Sequence, residues 1–189
     1  MNCKKYTAAI ILAAGRGTRM NSSLPKVLHC IAGRPMVWYA ATLARQVATQ
    51  TVAIVVGYGS EQVQAYLEHE KVNFEPFEIV KQDKQLGTGH AVQQAYPVFT
   101  RNASQKIDQF LILNGDTPLL TKDTLTALID YHQSEDATLT LLTTLLPKPG
   151  GYGRVVRTHS GEVCRIVEDQ DASPKEKNIS EINVGTYVV

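Results

Sequence analysis

The chain reads as an α/β protein: a Rossmann-like, mostly parallel sheet flanked by helices, with extra antiparallel strands toward the C-terminus. Three observations predict this. Short β-branched runs alternate with amphipathic segments over the first 146 residues. Glycines or Asn-Gly-Asp close the apolar runs, as in turns at the carboxyl ends of strands. After Pro147 the alternation stops and strand-like runs follow one another.

Residues 6–12 are continuously apolar and end at glycine, which predicts a strand buried on both faces. Pro35 suits the first turn of a helix, with Met36, Val37, Tyr39, Ala40, Leu43, Ala44 and Val47 on one stripe. Residues 52–56, Val-Ala-Ile-Val-Val, are a second strand stopped by Gly57 and Gly59. Ser60 is positioned to cap a short helix over 61–67, with Glu61 at its positive end. A third strand is expected at 77–80, a helix over 89–99 ending near Pro97, and a fourth strand at 110–113. Thr121 is placed to cap a helix that turns Leu125, Leu128 and Ile129 inward. Residues 137–146 read as a long strand, and 154–157, 162–168 and 182–189 as further strands. The polar stretch 169–178 reads as an exposed loop.

The 189 residues fit one domain, 1–189, with a substantial core. A net charge of +1 argues against a broad basic face for nucleic acid, so any phosphate chemistry must be local. The longest apolar stretches, 8–14 and 52–56, are too short to cross a bilayer. The start, Met1-Asn2-Cys3-Lys4-Lys5, carries no signal-peptide pattern. Cys3, Cys30 and Cys164 lack metal-ligand spacing and read as reduced, mostly buried thiols of a cytoplasmic protein.

In an open parallel sheet, ligands bind beyond the carboxyl ends of the strands. Leu12–Leu28, "LAAGRGTRMNSSLPKVL", follows the first strand with two glycines, two arginines, one lysine and no acid. Glycines let backbone N–H groups approach an anion; Arg19 offers a bidentate fork and Lys26 a point charge. The same composition also suits a solvated surface loop. It matches neither the dinucleotide fingerprint nor the Walker A pattern. Asp116, after Gly115 at the end of the fourth strand, suits Mg²⁺ or an Asx-turn before Pro118. "KQDKQLGTGHA", Lys81–Ala91, pairs permissive glycines with glutamines that offer a donor and an acceptor to a base edge. His90, His29, His69, His132 and His159 have no nucleophile or paired acid beside them and read as structural.

"LAAGRGTRM" with "PKVL", "QLGTGHA", "NGDTPLL", "GYGRVVR", "IVEDQDA" and "EINVGTYVV" closely resemble the uridyltransferase domain of bacterial N-acetylglucosamine-1-phosphate uridyltransferases. These belong to the sugar nucleotidyltransferases. The resemblance runs in order along nearly the whole chain. It implies the nucleotide-diphospho-sugar transferase fold and transfer of a uridylyl group from UTP to N-acetylglucosamine 1-phosphate in the cytoplasm, with Mg²⁺ as cofactor. It implies catalytic roles on the phosphates for Arg19 and Lys26, and Asp116 as metal ligand. Leu12, Ala13, Ala14, Gly15, Gln82, Gln85, Gly87 and Thr88 would hold the nucleotide. Gly153, Glu168 and Asn183, with Thr88 beside them, would hold the sugar phosphate, Asn183 near its acetamido group. The family's second metal ligand and its acetyltransferase domain lie beyond residue 189, so the sequence is expected to be a C-terminally truncated single domain. Three readings therefore stand side by side. They are the uridyltransferase, a UTP- or UDP-sugar-binding module without turnover, and a nucleotidyltransferase for another nucleotide or sugar. No nucleic-acid or membrane partner is expected.

Overall fold

A computed structural model describes residues 5–17, 20–70, 76–101 and 106–189. The first strand, β1, runs Thr7–Ala13 and lies at the centre of a parallel block. Its neighbours are β4 (Val52–Val56) and β6 (Gln109–Asn114), both parallel to it, and β5 (Phe77–Lys81) continues beyond β4. The order β5-β4-β1-β6 is then extended by an antiparallel part. There β10 (Glu181–Val188) meets β6, β7 (Thr140–Leu145) and β8 (Arg154–Arg157), and β9 (Val163–Val167) closes the edge. A two-residue ladder, β2 (Cys30–Ile31) with β3 (Arg34–Pro35), stands apart.

Alternation along β1 divides the core into two layers. Ala9, Ile11 and Ala13 face α1 (Met36–Val47), α2 (Ser60–His69) and α4 (Lys122–Ser134). Ala8 and Ile10 face α3 (Thr88–Thr100) through Ala91, Ala95, Val98 and Phe99. Small residues in β1 let helices approach both faces. Ile11, Ile54, Leu111 and Leu113 are at most 1 % exposed, each worth roughly 1.5–3 kcal/mol of burial. The run 6–12, read from the sequence as a doubly buried strand, is buried from Thr7 through Ile11, while Tyr6 before the strand is exposed.

Four local expectations are corrected. Gly59, in the left-handed region at φ +62°, takes the N-cap position of α2, and Ser60 is its first helical residue. α3 does not stop near Pro97 but continues to Thr100; Phe99 stacks edge-on against Phe110 at 5.0 Å, which offsets the backbone bond that proline removes. The stretch 169–178 is not all loop: Pro174–Lys177 form α5, closed by a reciprocal capping box between Ser173 and Glu176. Cys30 and Cys164 are exposed thiols, not buried ones, because β2 and β9 lie at edges; Cys3 falls outside the described residues. Thr121 does cap α4, accepting from Thr124 N at 3.2 Å. No helix among the described residues is long and apolar enough to cross a membrane.

Candidate functional site

The carboxyl ends of β1, β5 and β6 open on one side of the sheet, and two cavities adjoin there. One, of about 310 Å³, is lined by Leu12, Ala14, Gly15, Gln82, Gln85, Gly87, Thr88, Ala91, Asn114 and Asp116. The other, of about 430 Å³, includes Lys26, Gly153, Glu168, Asn183 and Tyr187. Leu12, Thr88, Asn114 and Asp116 border both, so the two form one cleft with Asp116 at the seam. Thus one cleft gathers the candidate residues from all three loops. The exceptions are Ala13, which is buried in the core behind it, and Arg19, which lies outside the described residues.

The first loop reaches the seam through Lys26. Its ammonium pairs with the Asp116 carboxylate, ninety residues away in sequence. A 3-10 turn, Lys26–Leu28, fixes that lysine by burying Val27 and Leu28. Gly17, at φ +60°, lets the side chain pass: a Cβ there would stand 2.5 Å from Lys26 Cβ. Arg16 turns elsewhere, lying over the Tyr58 ring at 5.5 Å and facing a separate cavity. Gly115 carries the chain from β6 to Asp116 while donating to Leu12 O at 2.9 Å.

In the smaller cavity Gln82 is only 4 % exposed. Its Nε2 donates to Gly87 O at 3.1 Å and to His90 Nδ1 at 2.9 Å. His90 is therefore a structural partner, as its lack of a nucleophilic neighbour suggested, but it acts on a residue of the cleft.

The larger cavity lies where β10 passes from β8 to β6. Ile182 pairs with Arg154, whereas Tyr187 pairs with Ile112. Between them Val184–Thr186 bulge opposite the single residue Leu142 of β7, with Gly185 at φ +81°. Asn183 sits at the start of the bulge. Its Oδ1 accepts from Gly185 N at 3.0 Å, its Nδ2 donates to Tyr187 Oη at 2.6 Å, and its N–H donates to Gly153 O at 2.9 Å. Glu168 also lines this cavity, beside Gly153: a Cβ on Gly153 would lie 3.2 Å from its Oε1. Burial raises the Tyr187 phenol above its ordinary pKa, and the Glu168 charge adds to that.

Sequence reasoning missed three contributors. Asn114 borders both cavities and donates to Val184 O at 3.4 Å. Tyr187 was read only as part of a strand. Arg154, 2 % exposed, pairs with Asp169 at 2.8 Å and bonds Tyr152 O, pinning the loops that carry Gly153 and Glu168. The stretch "GYGRVVR" marks a strand after a turn, with nothing in its pattern to show that the first arginine is buried.

The deciding observation is a match to the model of the MobA-like NTP transferase domain over residues 9–170. The chain belongs to the MobA-like NTP transferase family. This NTP transferase domain is 45 % identical over 180 residues to the bifunctional protein GlmU of Lactococcus lactis, and 46 % identical over 179 residues to that of Enterococcus faecalis. Each alignment covers 95 % of the chain but 37 % of the relative, so the chain spans little more than a third of those proteins. Among solved structures, it resembles a glucose-1-phosphate thymidylyltransferase from Bacillus anthracis. That TM-score is 0.77 at 20 % identity, covering 96 % of this chain and 70 % of that one. A UDP-glucose pyrophosphorylase complexed with UDP-glucose gives a TM-score of 0.72 at 18 % identity, covering 97 % and 76 %. Both establish the fold.

Asp116 is a fitting hold for Mg²⁺. It supplies a hard, partly buried carboxylate at the seam of the two cavities, and Mg²⁺ commonly takes one or two protein carboxylates with substrate phosphates and water completing the shell.

Proposed function

We propose that this domain transfers a uridylyl group from UTP to N-acetylglucosamine 1-phosphate, releasing pyrophosphate and forming UDP-N-acetylglucosamine for cell-wall precursor synthesis in the cytoplasm. One observation carries the reading: two cavities share a wall, and a lysine–aspartate pair stands on that wall. A transferase for two anions needs this arrangement. The smaller cavity, with Gln82, Gln85, Gly87, Thr88 and the Leu12–Gly15 backbone, takes the nucleotide. The larger, with Gly153, Glu168 and Asn183, takes the sugar phosphate. The overall identity of 45–46 % to the GlmU relatives supports the choice of uridine and N-acetylglucosamine.

In the reaction a phosphate oxygen of the sugar phosphate attacks the α-phosphorus of UTP in line. The new P–O bond forms as the bond to the β-phosphate oxygen breaks, and pyrophosphate leaves with the electron pair. The attacking group is already an anion, so no general base is required. Lys26 neutralises phosphate charge as the anions meet, and Arg19 shares that role. The loop N–H groups around Gly15 orient the nucleotide. Mg²⁺ on Asp116 would supply further charge neutralisation at the phosphates.

A pyrophosphate-release assay with UTP, N-acetylglucosamine 1-phosphate and Mg²⁺ tests this, beside calorimetry with UDP-N-acetylglucosamine. Turnover with UTP but not with other nucleotides is expected. Binding without turnover would leave a nucleotide-sugar-binding module, and preference for another substrate pair would overturn the assignment.

A further inference from the structure

The bulge in β10 does more than make room for a ligand. Four residues of extended strand span about 13 Å, yet the side chains of Asn183 and Tyr187 meet at 2.6 Å because the bulge folds the strand between them. The Asn183 amide is thereby oriented unambiguously. Its oxygen takes the Gly185 N–H and one of its two N–H protons goes to Tyr187 Oη. What remains is one amide N–H and, on Tyr187, an oxygen that accepts from Asn183 and still has its own proton to give. The phenol holds that proton at neutral pH, since burial and Glu168 both disfavour its anion. Tyr187 lines the larger cavity.

We propose that the Tyr187 hydroxyl is a specificity-determining hydrogen-bond donor for the sugar phosphate, selecting a 2-acylamino sugar by its amide carbonyl. An N–H and an O–H side by side suit an oxygen with two lone pairs and no proton. A sugar hydroxyl meets the pair less well, since its own proton needs an acceptor, and the Glu168 carboxylate in the same cavity offers one. These groups thus divide the sugar between them: carbonyl at Asn183 and Tyr187, hydroxyl at Glu168. The inference rests on the sugar-phosphate reading of this cavity.

The test is Y187F, which removes the hydroxyl and keeps the ring, assayed with saturating UTP against N-acetylglucosamine 1-phosphate and glucose 1-phosphate. KM for the acetamido sugar is expected to rise about tenfold, the size of one neutral hydrogen bond. The kcat, KM for UTP and kcat/KM for glucose 1-phosphate should stay within twofold. The same substitution in an Asn183→Ala background should again weaken the acetamido sugar, which a tyrosine acting only by holding Asn183 would not do. An unchanged KM, an equal loss for both sugars, or no added loss in the Asn183→Ala background would each overturn the proposal. Should the wild type turn over neither sugar phosphate, the proposed reaction fails by itself. Calorimetric titration of both proteins with N-acetylglucosamine 1-phosphate then decides Tyr187: weaker binding to Y187F upholds it, and equal or absent binding refutes it.

Discussion

The Lys26 ammonium and the Asp116 carboxylate pair across the seam of the cleft, joining the loop after β1 to the turn after β6. Both side chains are about 30 % exposed, so the pair itself adds little stability. On the proposed reading its value lies in placement: the lysine is held where two phosphates would meet. Lys26→Ala should therefore lower turnover by about 10²–10³-fold while the melting temperature stays nearly constant. On the proposed reading, Asp116→Asn should lose activity similarly and need more added Mg²⁺ to reach its maximum. Steady-state kinetics with a thermal melt checks both, and near-wild-type turnover in either variant contradicts the role assigned to that residue.

Gly185 carries two separate demands. Its φ of +81° disfavours any L side chain, and a Cβ would press on the Asn114 amide, which must then drop its bond to Val184 O. Gly33 is the natural control, with φ +82° and nothing within 4 Å. Gly33→Ala should cost about 1–2 kcal/mol from backbone strain alone. Gly185→Ala should cost clearly more, and the excess should shrink when Asn114 is also changed to alanine. Denaturant melts of these three variants and of Asn114→Ala alone measure this. Equal costs for the two glycine substitutions would mean that Asn114 does not press on the bulge.

Elements whose pattern is local were legible in the sequence. Val52–Val56 and Arg154–Arg157 were read to the residue because buried strands between turn residues are marked by their own composition. The cleft was legible as far as strand ends and glycines announce it: Gly15, Gln82, Gly87 and Asp116 share a cavity wall. The Asn183–Tyr187 contact was not legible, since it depends on a bulge set by which strands β10 joins. Arg154 was hidden for a related reason: its partner Asp169 comes beside it only when β8 and β9 fold together. The capping box of α5 was local and could have been found from Ser173 and Glu176, three residues apart.

Acid should weaken the fold through several carboxylates at once. The Ser173 hydroxyl and N–H, with Arg165, hold Glu176 down at about 2. Arg157 lowers Glu181 through two bonds, of 2.8 and 2.7 Å, and Arg154 lowers Asp169. Each group is more acidic folded than unfolded, so the unfolded chain binds more protons in acid. The stabilisation is complete above the unfolded values near pH 4–4.5 and is lost as pH falls from there toward 2. The melting temperature should be level only above about pH 7: it should begin to fall as the unfolded chain protonates His132, whose burial lowers its pKa in the fold, and drop more steeply below about pH 5. In Ser173→Ala the Glu176 midpoint, followed by NMR, should move from about 2 toward its ordinary 4.5. A wild-type midpoint already near 4.5 would show that the capping box does not form in solution.

Gln82 offers a sharper test of how a base is chosen. Its two amide protons are both engaged, one by Gly87 O and one by His90 Nδ1. That leaves Oε1, an acceptor, to face a ligand in the smaller cavity. A base presenting a ring N–H, as uracil does at N3, is satisfied there. Cytosine presents a lone pair at that position and is repelled. Gly87 O and His90 both accept from Nε2, and together they stop the amide from flipping. In His90→Phe the amide gains the freedom to turn its N–H groups into the cavity. KM for UTP should then rise by about tenfold, the cost of one hydrogen bond, the preference for UTP over CTP should fall by at least that factor, and KM for the sugar phosphate should hold. A variant that keeps full discrimination against CTP would show that Gln82 is oriented without His90.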